Sequence, residues 1–483
     1  MAYTGRLLIC AVTGSLIFCC KKGNTSSGSN NPEPPLITIT LDDTKQFQEM
    51  EGFGGFGAQD VYWSNGPFTS GPFVNTLIND LGLTILRDNL PTDFEFENDN
   101  NDPFVTDLDK YHLHGQTSGY DQPLGVHLQY LKDMKNAGLQ KMITTVWSPP
   151  AWMKTNGRVN NGTRENSAPS YNTNPSGTDN QLRTDMYEEF AEMCVAYIKV
   201  IKQETGIDVY AFSIQNEPRF SQYYESCVYN GGALRDLLKI VGRRFSNEGL
   251  STKLFLPEDV GWIDGVRGML QPSLDDTDAR QYAGIVAVHG YALDGITAAS
   301  PDAQAWKTMY GWGSQFGKPL WMTETSGFSN NIAGAMDLAR AMYTAINFGN
   351  VSAWLFWSLS TSTLDSYSLM SSSGAKSKRY YISKNFYRYI MPGARRFQAS
   401  SPESSQVLSM AFINDAEKST TIILINNDKE NPVRVKVEGS GVPIDFIQFV
   451  TSEEDDCVDM GKKNAKDILM LPANSVTTLY QKD

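Results

Sequence analysis

The sequence predicts a (β/α)8 TIM barrel with an appended all-β sandwich domain, on three observations. From residue 48 onward, short apolar runs alternate with amphipathic stretches of helical period, the pattern of parallel βα units. Eight of those runs switch from apolar to polar at their carboxyl ends. After Pro392-Gly393 the helical period disappears, leaving β-rich runs separated by Asp, Asn, Lys and Gly turns. A doubly wound sheet would want fewer strands and a phosphate loop. The expected boundaries are a leader and tether over residues 1–35, a sandwich strand over 36–47, the barrel over 48–392 and the sandwich over 393–483.

Taken in order, EMEGFGGFG (residues 49–57) supplies the first barrel strand and LTILRDN (83–89) the second. A helix with Leu128, Leu131, Met134 and Ala137 on one face follows, closed by Gly138, and leads into the third strand, KMITTVWSPP (141–150). Residues 155–181, rich in Asn, Gly, Ser and Thr, read as a long loop. A helix over 182–203 comes next, with Met186, Phe190, Met193, Tyr197 and Ile201 on one face. The remaining strands are VYAFSIQNEP (209–218), KLFLPEDVGW (253–262), IVAVHGY (285–291), PLWMTETSGF (319–328) and VSAWLFWSLS (351–360). In the last domain TTIILIN, VRVKV and SVTTLYQ read as strands, and LITITLD (36–42) joins them from before the barrel.

The amino terminus carries one charge, Arg6, and then an apolar run over residues 7–20, too short to span a bilayer and suited to a secretory signal. It ends in Cys19-Cys20, followed by a Gly/Ser/Asn/Pro tether, the layout of a bacterial lipoprotein signal with the acylated residue open between the two cysteines. The expected location is therefore outside the cytoplasm: periplasmic, secreted, or lipid-anchored to the outer membrane. Of 6 Cys, Cys194, Cys227 and Cys457 lie outside the leader, an odd number at unrelated spacings that allows at most one disulfide.

A net charge of −13 disfavours nucleic acid as a partner. Only four His occur, and His112-x-His114 has no neighbouring ligand cluster, so neither metal nor cofactor is expected. Gly52-x-Gly54-x-x-Gly57 matches a dinucleotide fingerprint formally, but no helix follows it. There is no G-x-S-x-G elbow.

The chemistry gathers at two strand ends. Glu217 follows the apolar fourth strand, where a carboxylate is costly unless paired, hydrogen-bonded or chemically used. Glu324 ends the seventh strand, 107 residues later. Each alone has a plain structural reading, a capping turn for Asn216-Glu217-Pro218 and an ion pair for Glu324. Together on one barrel face they match the carboxylate pair that cleaves glycosidic bonds.

The set WSPPAWMK (147–154), SIQNEP (213–218), YESC (224–227), VHGY (288–291) and LWMTE (320–324), with the segment 377–396, resembles glycoside hydrolase family 30. The resemblance covers essentially the whole mature chain. It implies a barrel fused to a β-sandwich and retaining cleavage of β-glycosidic bonds. It assigns Glu217 as acid/base and Glu324 as nucleophile, with Asn216 bonding the nucleophile or the sugar 2-hydroxyl. The strand motifs are most similar to the xylanase branch, yet residues 358–370, SLSTSTLDSYSLM, lack the basic residues that its glucuronoxylan-specific members carry there. The expected function is a monomeric retaining β-glycosidase on a polysaccharide, xylan-type hemicellulose first. The alternatives are a β-1,6-glucanase, a glucosylceramidase-like β-glucosidase, or a non-catalytic carbohydrate-binding lipoprotein.

Supporting residues follow from strand position. Trp147, Trp152 and Trp357 are candidates to present ring faces to sugar C–H faces, against a packing role expected of Trp354. His289 and Tyr291 end the sixth strand, where Tyr291 is placed to donate to Glu324. Arg87, ending the second, is placed to lower the nucleophile's pKa by its charge or to form a barrel-mouth salt bridge.

Overall fold

Eight parallel strands close into a barrel: β2 (Gly52–Phe56), β3 (Ile85–Leu90), β4 (Lys141–Val146), β5 (Val209–Ser213), β6 (Lys253–Asp259), β7 (Ala283–His289), β8 (Leu320–Glu324) and β9 (Ala353–Phe356). β1 (Leu36–Glu49) precedes them in the chain and lies outside the barrel. The computed structural model describes residues 33–57, 71–111, 124–166, 171, 179–260, 262–291 and 302–483. The signal and tether residues up to 32, His112, His114 and residues 167–170 and 172–178 of the 155–181 loop lie outside the described residues. No helix among the described residues is long and apolar enough to cross a membrane.

Inward-facing side chains fill the barrel as in a packed core: Ile85, Ile143, Ala211, Phe255, Ile285, Trp321 and Leu355 form a separate apolar cluster. The Gly-rich β2 has a steric reason. A Cβ on Gly54 would stand 1.7 Å from the carbonyl oxygen of Ile85, so only glycine lets β2 lie this close to β3.

The helices cover the barrel with the faces their sequences predict. Leu128, Leu131 and Met134 of the helix Leu124–Asn136 are buried, and Gly138 reverses the chain at φ +108°. The next helix starts later than its periodicity suggests, at Tyr187 rather than 182. Leu182 bridges to Lys154 in an isolated β-pairing, and a 3₁₀ turn over Thr184–Met186 intervenes, so extended backbone claims the first residues. Phe190, Met193, Tyr197 and Ile201 are buried as expected.

Outside the barrel, β1 and eight later strands form one curled nine-stranded sheet. β10 (Ser360–Thr361) and β11 (Met370–Ser371) pair beside the barrel mouth; β12 (Arg395–Ser400), β13 (Val407–Asn414), β14 (Ser419–Asn426), β15 (Val433–Gly439), β16 (Asp445–Thr451), β17 (Val458–Asn464), β18 (Leu469–Leu471) and β19 (Ser475–Lys482) make the sheet. Its order is β17-β16-β19-β14-β13-β12-β1-β15-β18. β1 enters it between β12, antiparallel, and β15, parallel. The segment ahead of the barrel is thus an interior strand of the second domain. Met410, Phe412, Ile423, Ile425 and Val476 of this sheet share an apolar cluster with the barrel helices, and Asn385 donates to Thr478 Oγ1 at 2.9 Å across the boundary. Residues 35–483 form one compact unit. Cys194, Cys227 and Cys457 are all buried free thiols, so none forms a bridge.

Candidate active site

The carboxyl ends of β3, β5, β6, β7 and β8 bring Arg87, Glu217, Glu258, His289 and Glu324 to one mouth of the barrel. The turn after β5 is stitched to its neighbours by backbone. Asn216 N donates to Val146 O at 2.7 Å, and Glu217 N donates to Glu258 O at 2.8 Å. Glu217 (φ +45°) and Glu258 (φ +50°) both hold the left-handed region that non-glycine residues seldom adopt. Such backbone conformations persist where surrounding bonds over-determine them, and these two support each other.

Arg87, fully buried, is the hub. It donates to Glu324 Oε2 through Nη1 and to Asn216 Oδ1 through Nη2 at 2.8 Å. The same Nη2 lies 3.2 Å from Glu258 Oε1, and Nε donates to Thr145 Oγ1 at 3.3 Å. Its guanidinium also sits 4.7 Å over the Trp147 ring. Since Asn216 Oδ1 is used by Arg87, its amide nitrogen is turned to serve as a donor. Tyr291 donates its hydroxyl to Glu324 Oε1, so both oxygens of Glu324 accept hydrogen bonds.

Glu217 has different company. His289 Nδ1 lies 3.2 Å from its Oε1, and Gln222 Nε2 donates to its Oε2 at 3.0 Å. Burial, together with the Glu324 charge, pushes the Glu217 carboxyl above its ordinary range, against the pull of His289. The other imidazole nitrogen of His289 lies 3.3 Å from Glu258 Oε1. Burial would lower the pKa of this imidazole, but the Glu324 charge and the bonds to Glu217 and Glu258 outweigh it and carry it to about 9. His289 is therefore an imidazolium at neutral pH, donating from both nitrogens. Burial opposes ionisation of Glu258 too, yet Arg87 and His289 bring its carboxyl down to about 2.

One carboxylate is thus fixed between a guanidinium and a phenol, while the other is biased to keep its proton. Oxygens of the two lie within 4.8 Å of each other. With His289, Glu217 and Glu324 also have the ligand types of a metal site. The His289 imidazolium and Arg87 already supply the positive charge there, so the cluster does not fit a metal ion.

The aromatic residues divide. Trp357, half-buried, stacks on Phe56 with centroids 4.4 Å apart and tilts against Trp147 at 5.8 Å. Trp147 is buried and presents a face to Arg87. Trp152 stands in the wall, its Nε1 donating to Glu95 O at 3.0 Å. Trp354 is fully buried in packing. Tyr224, exposed and flanked by Tyr223, feels the charges of Glu217 and Glu324, and Tyr367 meets Tyr291 edge-on at 6.5 Å.

Glu258, Gln222 and Phe56 escape the sequence reading. Glu258 has the signal that marks Glu217, an acid at the polar end of an apolar strand, in LFLPED (254–259). Gln222 lies in the loop after β5, where no periodicity marks it.

No family model matches the chain. It is 24% identical over 322 residues to the glucuronoxylanase XynC of Bacillus subtilis, covering 65% of this chain and 70% of that one. It is 31% identical over 157 residues to the endo-1,6-beta-D-glucanase neg1 of Aspergillus fumigatus, covering 32% and 30%. Among solved structures, the glycoside hydrolase family 30 subfamily 8 xylanase Xyn30A of Clostridium acetobutylicum superposes with a TM-score of 0.71 at 23% identity, over 92% of this chain and all of that one.

Proposed function

We infer that this chain, a glycoside hydrolase of the family 30 type, cleaves a β-linked polysaccharide with retention of configuration, and that xylan-type hemicellulose is its substrate. The observation that carries retention is the approach of Glu217 and Glu324 oxygens to within 4.8 Å. An inverting pair stands roughly 6.5–9.5 Å apart to admit a water, whereas a retaining pair stands at about 5–5.5 Å. Glu324, anchored by Arg87 and Tyr291, attacks the anomeric carbon as a carboxylate. Glu217 gives its proton to the leaving oxygen and then takes one from the water that hydrolyses the glycosyl-enzyme. Asn216 offers its amide donor to the sugar bound at Glu324.

Xylan is favoured by the similarity to XynC over most of both chains. A β-1,6-glucan is the second reading, favoured by the 31% identity to the neg1 glucanase over a shorter stretch. Export with a lipid anchor at Cys19 or Cys20 remains our proposal on the apolar run over residues 7–20; mass spectrometry of the mature amino terminus tests it.

The deciding experiment follows the anomer first released by NMR on debranched xylan, glucuronoxylan and β-1,6-glucan. A β-product from xylan supports both parts of the proposal. An α-product overturns retention, and activity confined to β-1,6-glucan overturns the substrate. Binding without cleavage of any of the three overturns catalysis. Glu324→Ala should regain turnover with azide and yield the α-glycosyl azide; failure of that rescue removes Glu324 from the nucleophile's role.

A further inference from the structure

A second acidic cluster lies behind the cleft wall, in the loop that follows β3. Its sequence, DFEFENDNND over residues 93–102, is densely acidic and amidic. It packs against the start of the helix Tyr187–Thr205, whose Glu189 and Glu192 are one turn apart. Oxygens of Glu95, Asp99 and Glu189 lie within 4.8 Å of one another.

A solvated acidic patch would not be built this way. Glu95 and Glu192 are fully buried and Glu189 is 7% exposed. Asp99 Oδ2 accepts from Asp107 N at 2.7 Å, and Glu189 Oε1 accepts from Asn98 Nδ2 at 3.4 Å. Those bonds orient the two carboxylates and, among the described residues, leave Asp99 Oδ1, Glu189 Oε2 and both oxygens of Glu95 buried without a hydrogen bond of normal geometry. An independent group points the same way. The Tyr111 hydroxyl, on a residue only 5% exposed, is buried without a hydrogen-bond partner among the described residues and feels the charges of Glu95, Glu192, Asp99 and Glu189. Among the described residues the cation facing the cluster is Arg244, 4.0 Å from Glu192 Oε1.

We propose that Glu95, Asp99 and Glu189, backed by Glu192 and the Tyr111 hydroxyl, bind one hard divalent cation of the calcium class. Clustered carboxylates whose buried oxygens accept too few hydrogen bonds need a positive charge among them or must take up protons. Two oxygens bound to one calcium at roughly 2.3–2.6 Å are at most about 5 Å apart, which the cluster satisfies. The donor set is all oxygen, which suits calcium over zinc or copper. The site contains no histidine, so a search for His or Cys spacing passes it by. Its effect reaches the cleft, because the Glu95 carbonyl holds the Trp152 indole. A bound cation would fix the loop carrying that carbonyl.

The rival account is protonation. With no cation, burial and the neighbouring acids push Glu95 up to about 9, and burial brings Glu192 to about 7. The two accounts separate in the intact protein. After exhaustive chelation, calcium should raise the unfolding midpoint by on the order of 5 °C when saturating. Terbium added to the chelated protein should show luminescence sensitised by the adjacent Tyr111 and be displaced by calcium. Glu95→Gln and, as a milder second variant, Asp99→Asn should weaken both responses by ~10-fold or more, since ligand charge sets calcium affinity. Equal midpoints in chelator and in calcium, with no terbium signal, overturn the proposal. So does a calcium response that survives unchanged in either variant, or a Glu95→Gln protein that in chelator exceeds the calcium-loaded wild type in stability, which is the protonation result.

Discussion

His289 Nδ1 lies 3.2 Å from Glu217 Oε1, so the carboxyl proposed to deliver a proton faces a buried imidazolium that disfavours holding it. Burial and the nearby Glu324 charge act in the opposite sense and prevail, leaving Glu217 above the ordinary carboxylate range. The imidazolium keeps its own proton because the Glu324 charge and the bonds to Glu217 and Glu258 outweigh its burial, Glu258 lying against its far side at 3.3 Å and in contact with Arg87 as well. The acid's titration therefore balances burial and the Glu324 charge against His289, the end of a chain of charges that runs from Arg87 through Glu258.

Replacing His289 tests that chain. In His289→Gln the cation is gone, so Glu217 should hold its proton to higher pH. The alkaline limb of kcat/KM, which reports the free enzyme's general acid, should move upward from its wild-type position. An unmoved limb in a folded variant would show that His289 does not set the acid's titration.

The same histidine should leave a mark on stability. Its folded pKa of about 9 exceeds the ordinary 6.5, so its contribution is complete below pH 6.5 and is lost as pH rises through 9. Glu258, brought down to about 2, contributes above its ordinary 4.5 and loses that contribution as pH falls through 2. The alkaline loss should reach about 3 kcal/mol at most, from the rise in pKa from 6.5 to about 9. Denaturant unfolding between pH 6.5 and 9 should show it, and Glu258→Gln should move the window to lower pH. A native His289 NMR titration near 6.5 would refute the assignment.

Arg87 joins the two halves of the site, and lysine cannot replace it. Arg87→Lys keeps a charge but loses the planar fork that reaches Glu324, Glu258 and Asn216 together. We expect kcat to fall by ~10²-fold or more, because the proposed nucleophile Glu324 and the Asn216 donor lose their shared anchor. Stability should drop by on the order of 3 kcal/mol, since Glu258 is left buried with its partner impaired. Steady-state kinetics and thermal unfolding check both, and a kcat within ~3-fold of wild type would remove Arg87 from its positioning role.

The barrel was legible because parallel strands buried on both faces carry an apolar run that ends sharply, and each of the eight does so. Glu217 and Glu324 were legible for the same reason. Glu258 ends LFLPED in the same way, but its partners come from β3 and β7, and pairing across strands distant in sequence leaves no local trace. The role of Trp152 was obscured similarly, as the carbonyl that holds its indole belongs to Glu95, 57 residues earlier. Tyr187 begins its helix late because the Leu182 backbone is taken by Lys154, a tertiary pairing that helical periodicity cannot register. Acidic clusters such as Glu95, Asp99 and Glu189 are hidden by the same separation in sequence.

The segment after β9 bears on which xylan the proposed activity would take. Residues 358–370 carry no basic residue, and the nearby Arg379 does not supply one to the cleft. It is fully buried, with its guanidinium donating to the carbonyls of Phe328, Asp365 and Ser368. It therefore shapes the segment and offers no charge to a uronate. A charged hydrogen bond to a carboxylate contributes about 1.5–3 kcal/mol, or roughly 10- to 100-fold in selectivity, and neither the 358–370 segment nor Arg379 has a group to make it. The values of kcat/KM on glucuronoxylan and on debranched xylan should accordingly agree within ~10-fold. Adding free glucuronic acid should not inhibit. A preference for glucuronoxylan beyond ~10²-fold would mean that a cation outside the 358–370 segment reads the side group, and would overturn this account of specificity.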